Sequence, residues 1–301
     1  MTQLHLTPMK EEHIPFLYEL LNIPAIMDAL HMTPTTMENW QEAYGIWTSD
    51  PDEENYIVES GSTPVAWLSL NGLASGITAW IKMLVVHPQH QRAGVGTFAI
   101  AEAERILKRR IFDRLYIQTT GDNLPAQQCY EKCGFSRIPT LEQSKIIYEK
   151  AVPLNIQTFA ESADQEATMQ AIFDCDWRAA KFLARLLKEK RLEEYVGEGT
   201  LYLLWCGTEL AGFIILGEKD GMPDLNRTPW FSFLFVAPAY RGRRLGKRLI
   251  DHACEAAKES GHQQVFLYTD HEGLYEKYGF TYLESRKDIW GDMSRIYMRA
   301  L

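Results

Sequence analysis

The chain has 301 residues, 46% hydrophobic and 24% charged, with a formal net charge of −9. The composition is that of globular domains and the length suits two of them, which excludes a disordered or collagen-like chain. The negative balance disfavours a general nucleic-acid binder and favours a cationic partner. No run approaches the ~18 apolar residues of a membrane helix. The opening Met1–Pro8 lacks the basic and apolar regions of a secretory leader, so a cytoplasmic location is expected. Five cysteines (Cys129, Cys133, Cys175, Cys206, Cys254) show no metal-ligand pairing. Free thiols and no metal are the expectation.

In chain order, the pattern predicts a short strand at 3–8, then helical segments rich in Leu, Glu and aromatics. Strands at 56–59 and 65–70 follow, joined by the turn residues Ser60-Gly61-Ser62. A longer apolar strand spans 79–86 and stops at Pro88. Val95, Phe98, Ala99, Ala103, Ile106 and Leu107 form the apolar stripe of a helix. A strand at 115–119, a short helix reaching Tyr130, and closing strands at 135–138 and 145–148 complete the set. The same order then begins again: strands at 155–159, 201–205, 210–216 and 230–236, a helix with Leu245, Leu249, Ile250, Ala253 and Ala257, and a strand at 265–268. A short helix at Tyr275 and strands at 280–284 and 295–299 end it.

The repetition extends to motifs. Val85-Val86-His87-Pro88-Gln89-His90-Gln91-Arg92-Ala93-Gly94-Val95-Gly96 returns as Phe235-Val236-Ala237-Pro238-Ala239-Tyr240-Arg241-Gly242-Arg243-Arg244-Leu245-Gly246, 150 residues on. Tyr130-Glu131-Lys132-Cys133-Gly134-Phe135 returns as Tyr275-Glu276-Lys277-Tyr278-Gly279-Phe280, 145 residues on. This spacing is too long for a solenoid. It predicts a duplicated α/β domain, 1–150 and 154–301, each a mixed sheet with an antiparallel-to-parallel transition at its centre, joined near Glu149–Leu154.

A strand that turns into a helix through glycines presents orphan backbone N–H groups at the positive end of the helix dipole, which suits a phosphate. Gln91–Thr97 has that form, and Arg92 adds charge. Gly242-Arg243-Arg244-Leu245-Gly246-Lys247-Arg248 is not a Walker A loop: it has three residues between its glycines, and Arg248 where Ser or Thr should meet Mg²⁺. Gly94-Val95-Gly96-Thr97-Phe98-Ala99 has the letters of a dinucleotide fingerprint, but the second copy does not repeat them, since Arg244 stands at the first glycine.

Together these motifs resemble the GNAT acetyltransferase superfamily. The first copy carries Gln91, Gly94 and Gly96, then Asn123, Ala126, Tyr130 and Gly134-Phe135; the second carries Arg241, Gly246, Tyr275 and Gly279-Phe280. The resemblance covers nearly the whole chain as two tandem GNAT domains. It implies an N-acetyltransferase using acetyl-coenzyme A, with a small cationic amine or a peptide amine as acceptor and neither nucleic acid nor membrane as partner. It places the pantetheine arm along Leu84, Val85 and Val86, and the pyrophosphate at Gln91, Arg92, Ala93, Gly94, Val95, Gly96 and Thr97, with Asn123 nearby. In the second copy the matching residues are Leu234, Phe235 and Val236, then Arg241, Gly242, Arg243, Arg244, Leu245, Gly246 and Lys247. Tyr130 and Tyr275 fall at the position that protonates the leaving thiolate. The strands 79–84 and 230–234 hold no carboxylate to serve as general base, which leaves a water chain, Glu218, Asp220 or His271. Arg244 in place of glycine is expected to strain the second turn, so the first domain is expected to hold the cofactor more tightly.

Overall fold

The computed structural model describes residues 3–140, 145–222 and 226–301, and the chain divides into two units, Met1–Leu154 and Asn155–Leu301. The first unit opens with β1 (Leu4–Pro8) and three helices, α1 (Ile14–Leu21), α2 (Pro24–Leu30) and α3 (Met37–Ser49). Pro15 and Pro24 lie in the first turns of α1 and α2, where a missing N–H costs nothing, and the Thr36 hydroxyl caps α3 by accepting from Asn39 N. Next come β2 (Glu53–Ser60), β3 (Thr63–Asn71), β4 (Thr78–Val86), α4 (Val95–Arg109), β5 (Arg114–Thr120), α5 (Leu124–Lys132), β6 (Ser136–Ile138) and β7 (Lys145–Ala151).

These seven strands form one sheet in the order β1-β2-β3-β4-β5-β7-β6. Every pairing is antiparallel except β4 with β5 at its centre. One face buries the stripe Val95, Ala99, Ile100, Ala103 and Leu107 of α4. The other takes Ile14, Leu17, Leu20 and Leu21 of α1, with Trp40 of α3 against Ile57 and Trp67. Each such Leu or Ile stabilises the layer by roughly 1.5–3 kcal/mol.

The second unit runs β8 (Ile156–Thr158), α6 (Gln165–Asp174), α7 (Arg178–Lys188), α8 (Leu192–Val196), β9 (Gly199–Cys206), β10 (Glu209–Gly217), β11 (Trp230–Val236), α9 (Leu245–Glu259), β12 (Gln264–Thr269), β13 (Thr281–Lys287) and β14 (Met293–Ala300). Its sheet reads β8-β9-β10-β11-β12-β14-β13, the order of the first sheet strand for strand, again with one central parallel pair, β11 and β12. The chain is therefore a mixed α/β duplication. No helix among the described residues is long and apolar enough to cross a membrane.

The copies part at one element. Where the first unit has the nine residues of α5, the second has only a four-residue 3-10 turn, Tyr275–Tyr278. The expected short helix at Tyr275 is absent because the second copy is five residues shorter between its two motifs, too few to complete helical turns.

Candidate active site

The central parallel pair of each sheet is incomplete. β4 and β5 are in register from Thr78–Arg114 to Ile81–Ile117 and then separate, although β4 continues to Val86 and β5 to Thr120. β11 and β12 are matched only at Trp230–Phe266. A ring pair closes the base of each gap, Trp80 on Tyr116 at 5.0 Å and Trp230 on Phe266 at 5.5 Å. Leu84, Val85 and Val86 are bound to β3 along one edge, and Phe235 and Val236 to β10. Their other edge faces the gap, so its backbone donors and acceptors are open to an extended ligand.

Beyond each gap lies the strand-to-helix turn. Gln91 Nε2 donates to Val86 O (3.1 Å), and Arg241 Nε to Val236 O (3.2 Å). These two side chains thus fix the turn to the strand end. The helices α4 and α9 start without a side-chain cap, their N-cap positions being Gly94 (φ +84°) and Arg244 (φ +55°). A Cβ built on Gly94 or Gly242 would meet nothing within 4 Å, while Gly96 and Gly246 lie against Val86 and Val236. Open space over uncapped N–H groups, with Arg92, Ala93 and Arg244 exposed beside it, fits a pyrophosphate. Lys247 is occupied differently: its Nζ pairs with Asp251, one turn on. Arg243 lies with its guanidinium 6.0 Å from the Tyr240 ring.

The expected strain difference between the turns does not hold. Each turn has two left-handed residues, Arg92 (φ +60°) with Gly94 in the first, and Gly242 (φ +81°) with Arg244 in the second. Arginine and glycine have exchanged places, so each turn carries one strained arginine.

Tyr130, on α5, is buried and packs edge-on to Tyr148 at 5.7 Å and against Phe135 at 6.2 Å. Burial, then the neighbouring Cys129 and Tyr148, push its phenol pKa well above the usual range. Tyr275 sits in the 3-10 turn, packed on Phe280 and Tyr297; burial, then Tyr278 and Asp270, push it up to about 12. Both phenols therefore hold their protons at neutral pH. Asn123 caps α5, its Oδ1 accepting from Ala126 N (3.2 Å). Leu274, at the matching N-cap of the 3-10 turn, makes no side-chain cap bond. His87 Nδ1 accepts from Gln89 N, a turn-fixing role.

The sheet faces opposite α4 and α9 differ most. Both gap strands carry a bulge where the gap opens: Ser69–Met83 and Leu70–Ile81 leave Lys82 unmatched, and the register of β11 shifts between Phe235 and Ser232, with Phe233 at φ +52°. A bulge re-aims side chains. In the first unit Lys82 Nζ bonds Glu53 Oε2 at 2.5 Å, and buried Glu53 also accepts from Ser69 and Asn55. In the second unit the residue matching Lys82 is Ser232, buried, with its hydroxyl beside the Asp220 carboxyl. Phe233 packs on Tyr195, Phe182 and Trp177. Neither the Lys82–Glu53 pair nor this aromatic wall follows from the motifs. The only sequence sign is a lysine within an otherwise apolar strand.

A mixed sheet split at its one parallel pair, with a glycine turn and an uncapped helix beyond the split, defines a fold that receives an acyl-coenzyme A. Two family models match the chain: "Acetyltransferase (GNAT) family" over 14–135 and "Acetyltransferase (GNAT) domain" over 197–282, together about two-thirds of it. The chain belongs to the GNAT acetyltransferase superfamily, as two tandem domains, and acetyl-coenzyme A is the acyl donor of that family. It is similar to a mycothiol acetyltransferase of Saccharomonospora viridis, 26% identical over 240 residues (73% of this chain, 76% of that one). A mycothiol acetyltransferase of Corynebacterium glutamicum is 24% identical over 225 residues (67% and 72%). Among solved structures, spermidine N-acetyltransferase from Vibrio cholerae with coenzyme A and spermine is 21% identical with TM-score 0.47, covering 50% of this chain and 97% of that one. An aminoglycoside acetyltransferase with coenzyme A is 22% identical with TM-score 0.45, covering 50% and 95%.

Proposed function

We propose that the chain transfers the acetyl group of acetyl-coenzyme A to a small amine, that both units hold the cofactor, and that transfer occurs in the second. The observation that carries this reading is the contrast at the bulge. In the first unit the far side of the gap holds the Lys82 ammonium bonded to Glu53. That cation repels a protonated amine and occupies the carboxylate that could attract it. In the second unit Ser232 stands in its place, beside aromatic side chains.

Acetyl-coenzyme A supplies, when bound, a thioester carbonyl and a sulfur leaving group. The open edge of Leu234, Phe235 and Val236 would hold the pantetheine arm and donate N–H to the carbonyl oxygen as it gains charge. Gly242–Leu245 and the start of α9 would hold the pyrophosphate, as Arg92–Thr97 and α4 would in the first unit. Tyr275, protonated at neutral pH, would give its proton at the sulfur. Tyr130 has the same chemistry in a unit whose acceptor side is filled. The acidic chain supports a cationic acceptor, a small amine or a peptide amine.

The test is thiol release from acetyl-coenzyme A in the presence and absence of a panel of polyamines, amino sugars and cysteinyl or peptidyl amines. Release that depends on one class of amine is expected. Coenzyme A binding with no amine-dependent release would reduce the protein to a binder.

A further inference from the structure

Resting on that reading, we propose that Asp220 takes the proton from the acceptor amine in the second domain. The residue lies three positions past the end of β10. Its Oδ1 accepts from Gly221 N at 2.8 Å, and the Ser232 side chain lies beside the carboxyl. Gly221 explains why this loop is placed as it is. A Cβ there would lie 2.5 Å from the Tyr268 hydroxyl, 3.0 Å from the Tyr195 hydroxyl and 3.1 Å from the Trp290 ring, so two phenols and an indole converge on it. Tyr268 belongs to β12 and Ser232 to β11, each two residues beyond the Trp230–Phe266 match where the strands separate. The carboxyl therefore stands at the mouth of the gap, flanked by one residue from each of its walls.

The surroundings suit a base rather than a structural ion. Asp220 is half-buried. The groups that face it are the Tyr195 phenol from α8, the Tyr268 phenol from β12 and Ser232 from β11. Asp288, from the turn between β13 and β14, acts on the same two phenols; its Oδ1 is occupied by the N–H groups of Trp290 and Asp292. Glu218 and Lys219 on its own loop are exposed. No cation is among these groups of the described residues. Burial raises the Asp220 carboxyl to about 7, against smaller lowering effects of Gly221 N–H and Ser232. Tyr195 and Tyr268 are pushed up, chiefly by burial and then by the Asp220 charge, so they stay protonated beside it. A base with its pKa near working pH is the most effective one.

The other carboxylate and imidazole candidates are placed less well. Glu218 Oε2 is held by Glu198 N at 3.0 Å, and His271 is exposed with its backbone N–H bonded to Thr269.

In the transfer, the amine nitrogen forms its bond to the acetyl carbon and the carbon–sulfur bond breaks. The nitrogen's proton goes to the Asp220 carboxylate and the sulfur receives one from Tyr275. The proton then returns from Asp220 to Tyr275 through solvent, and the enzyme ends as it began.

The experiment is the pH profile of the full-length wild type, Asp220→Asn and Ser232→Ala with the best amine of the panel. Wild-type kcat/KM is expected to rise with pH through an inflection near 7. Asp220→Asn should lose roughly 10²–10³-fold in kcat and lose that inflection, while coenzyme A affinity by calorimetry stays the same. Its loss should shrink for amines of low pKa, which are already neutral. Ser232→Ala removes a group that lowers the Asp220 pKa and should shift the inflection upward by roughly half a unit, which tests the assignment even if Asp220→Asn fails to fold. A wild type that transfers to an amine while Asp220→Asn keeps both rate and inflection overturns the role alone, as does an unmoved inflection in Ser232→Ala. A wild type that acetylates no amine refutes the transferase reading itself, and the role with it.

Discussion

The two phosphate turns and the two bulges make opposite comparisons. The turns differ in sequence and agree in backbone: Arg92 and Gly94 exchange residue types with Gly242 and Arg244 while all four keep positive φ. The bulges lie within two residues of equivalent places and differ in chemistry: Lys82 with Glu53 in one unit, and in the other Ser232, just before the bulge, near Asp220. Cofactor binding depends mostly on backbone N–H groups, which survive a change of side chain. Proton transfer depends on side-chain charge, which does not. On the proposed reading, the duplication preserves the binding half of each domain and separates the acceptor halves.

The sharpest break in this comparison is the tyrosine pair. Tyr275→Phe should lower kcat by roughly 10²-fold or more with little change in coenzyme A affinity, whereas Tyr130→Phe should leave turnover within about twofold. Steady-state kinetics on both variants check this, and equal losses would mean that both units transfer.

Next in size is stability. Lys82→Ser copies the second unit's residue into the first and leaves buried Glu53 without its cation. With Lys82 itself partly exposed, the cost should be about 1–3 kcal/mol, read as a lower denaturation midpoint, and turnover should not change. A gain of acetyl transfer in the first unit would show instead that the ion pair alone blocks it.

The smallest effect concerns the exchanged arginines. Arg92→Gly and Arg244→Gly each remove a left-handed non-glycine residue, offset by the greater freedom of glycine in the unfolded chain. Each should stabilise by about 0.5–1 kcal/mol. Unequal shifts in thermal denaturation would show that the turns are not equivalent after all.

The comparison also marks what a sequence reveals. The order of elements along the chain, the strand-to-helix turns and the α4 and α9 stripes are legible, because periodicity and glycine spacing report local backbone geometry. The position of Tyr275 was legible too, but not its 3-10 turn, since a five-residue deletion removes the helix without altering the motif around the tyrosine. The strain on Arg92 leaves no sign in the sequence, because the glycine spacing of the first turn marks only Gly94 as left-handed. The Lys82–Glu53 pair joins β4 to β2, and the group around Asp220 joins four elements. Contacts between residues so far apart in sequence leave no period to read.

The central claim is that two domains bind and one transfers. It is tested most directly by calorimetric titration of coenzyme A into the full-length wild type, Gly94→Trp and Gly242→Trp, with amine-dependent turnover measured on the same samples. Each tryptophan would enter space that is open over one turn. The account predicts two binding events in the wild type and one in each variant, with turnover lost in Gly242→Trp and retained in Gly94→Trp. A single binding event in the wild type, or turnover abolished by Gly94→Trp and spared by Gly242→Trp, would contradict it.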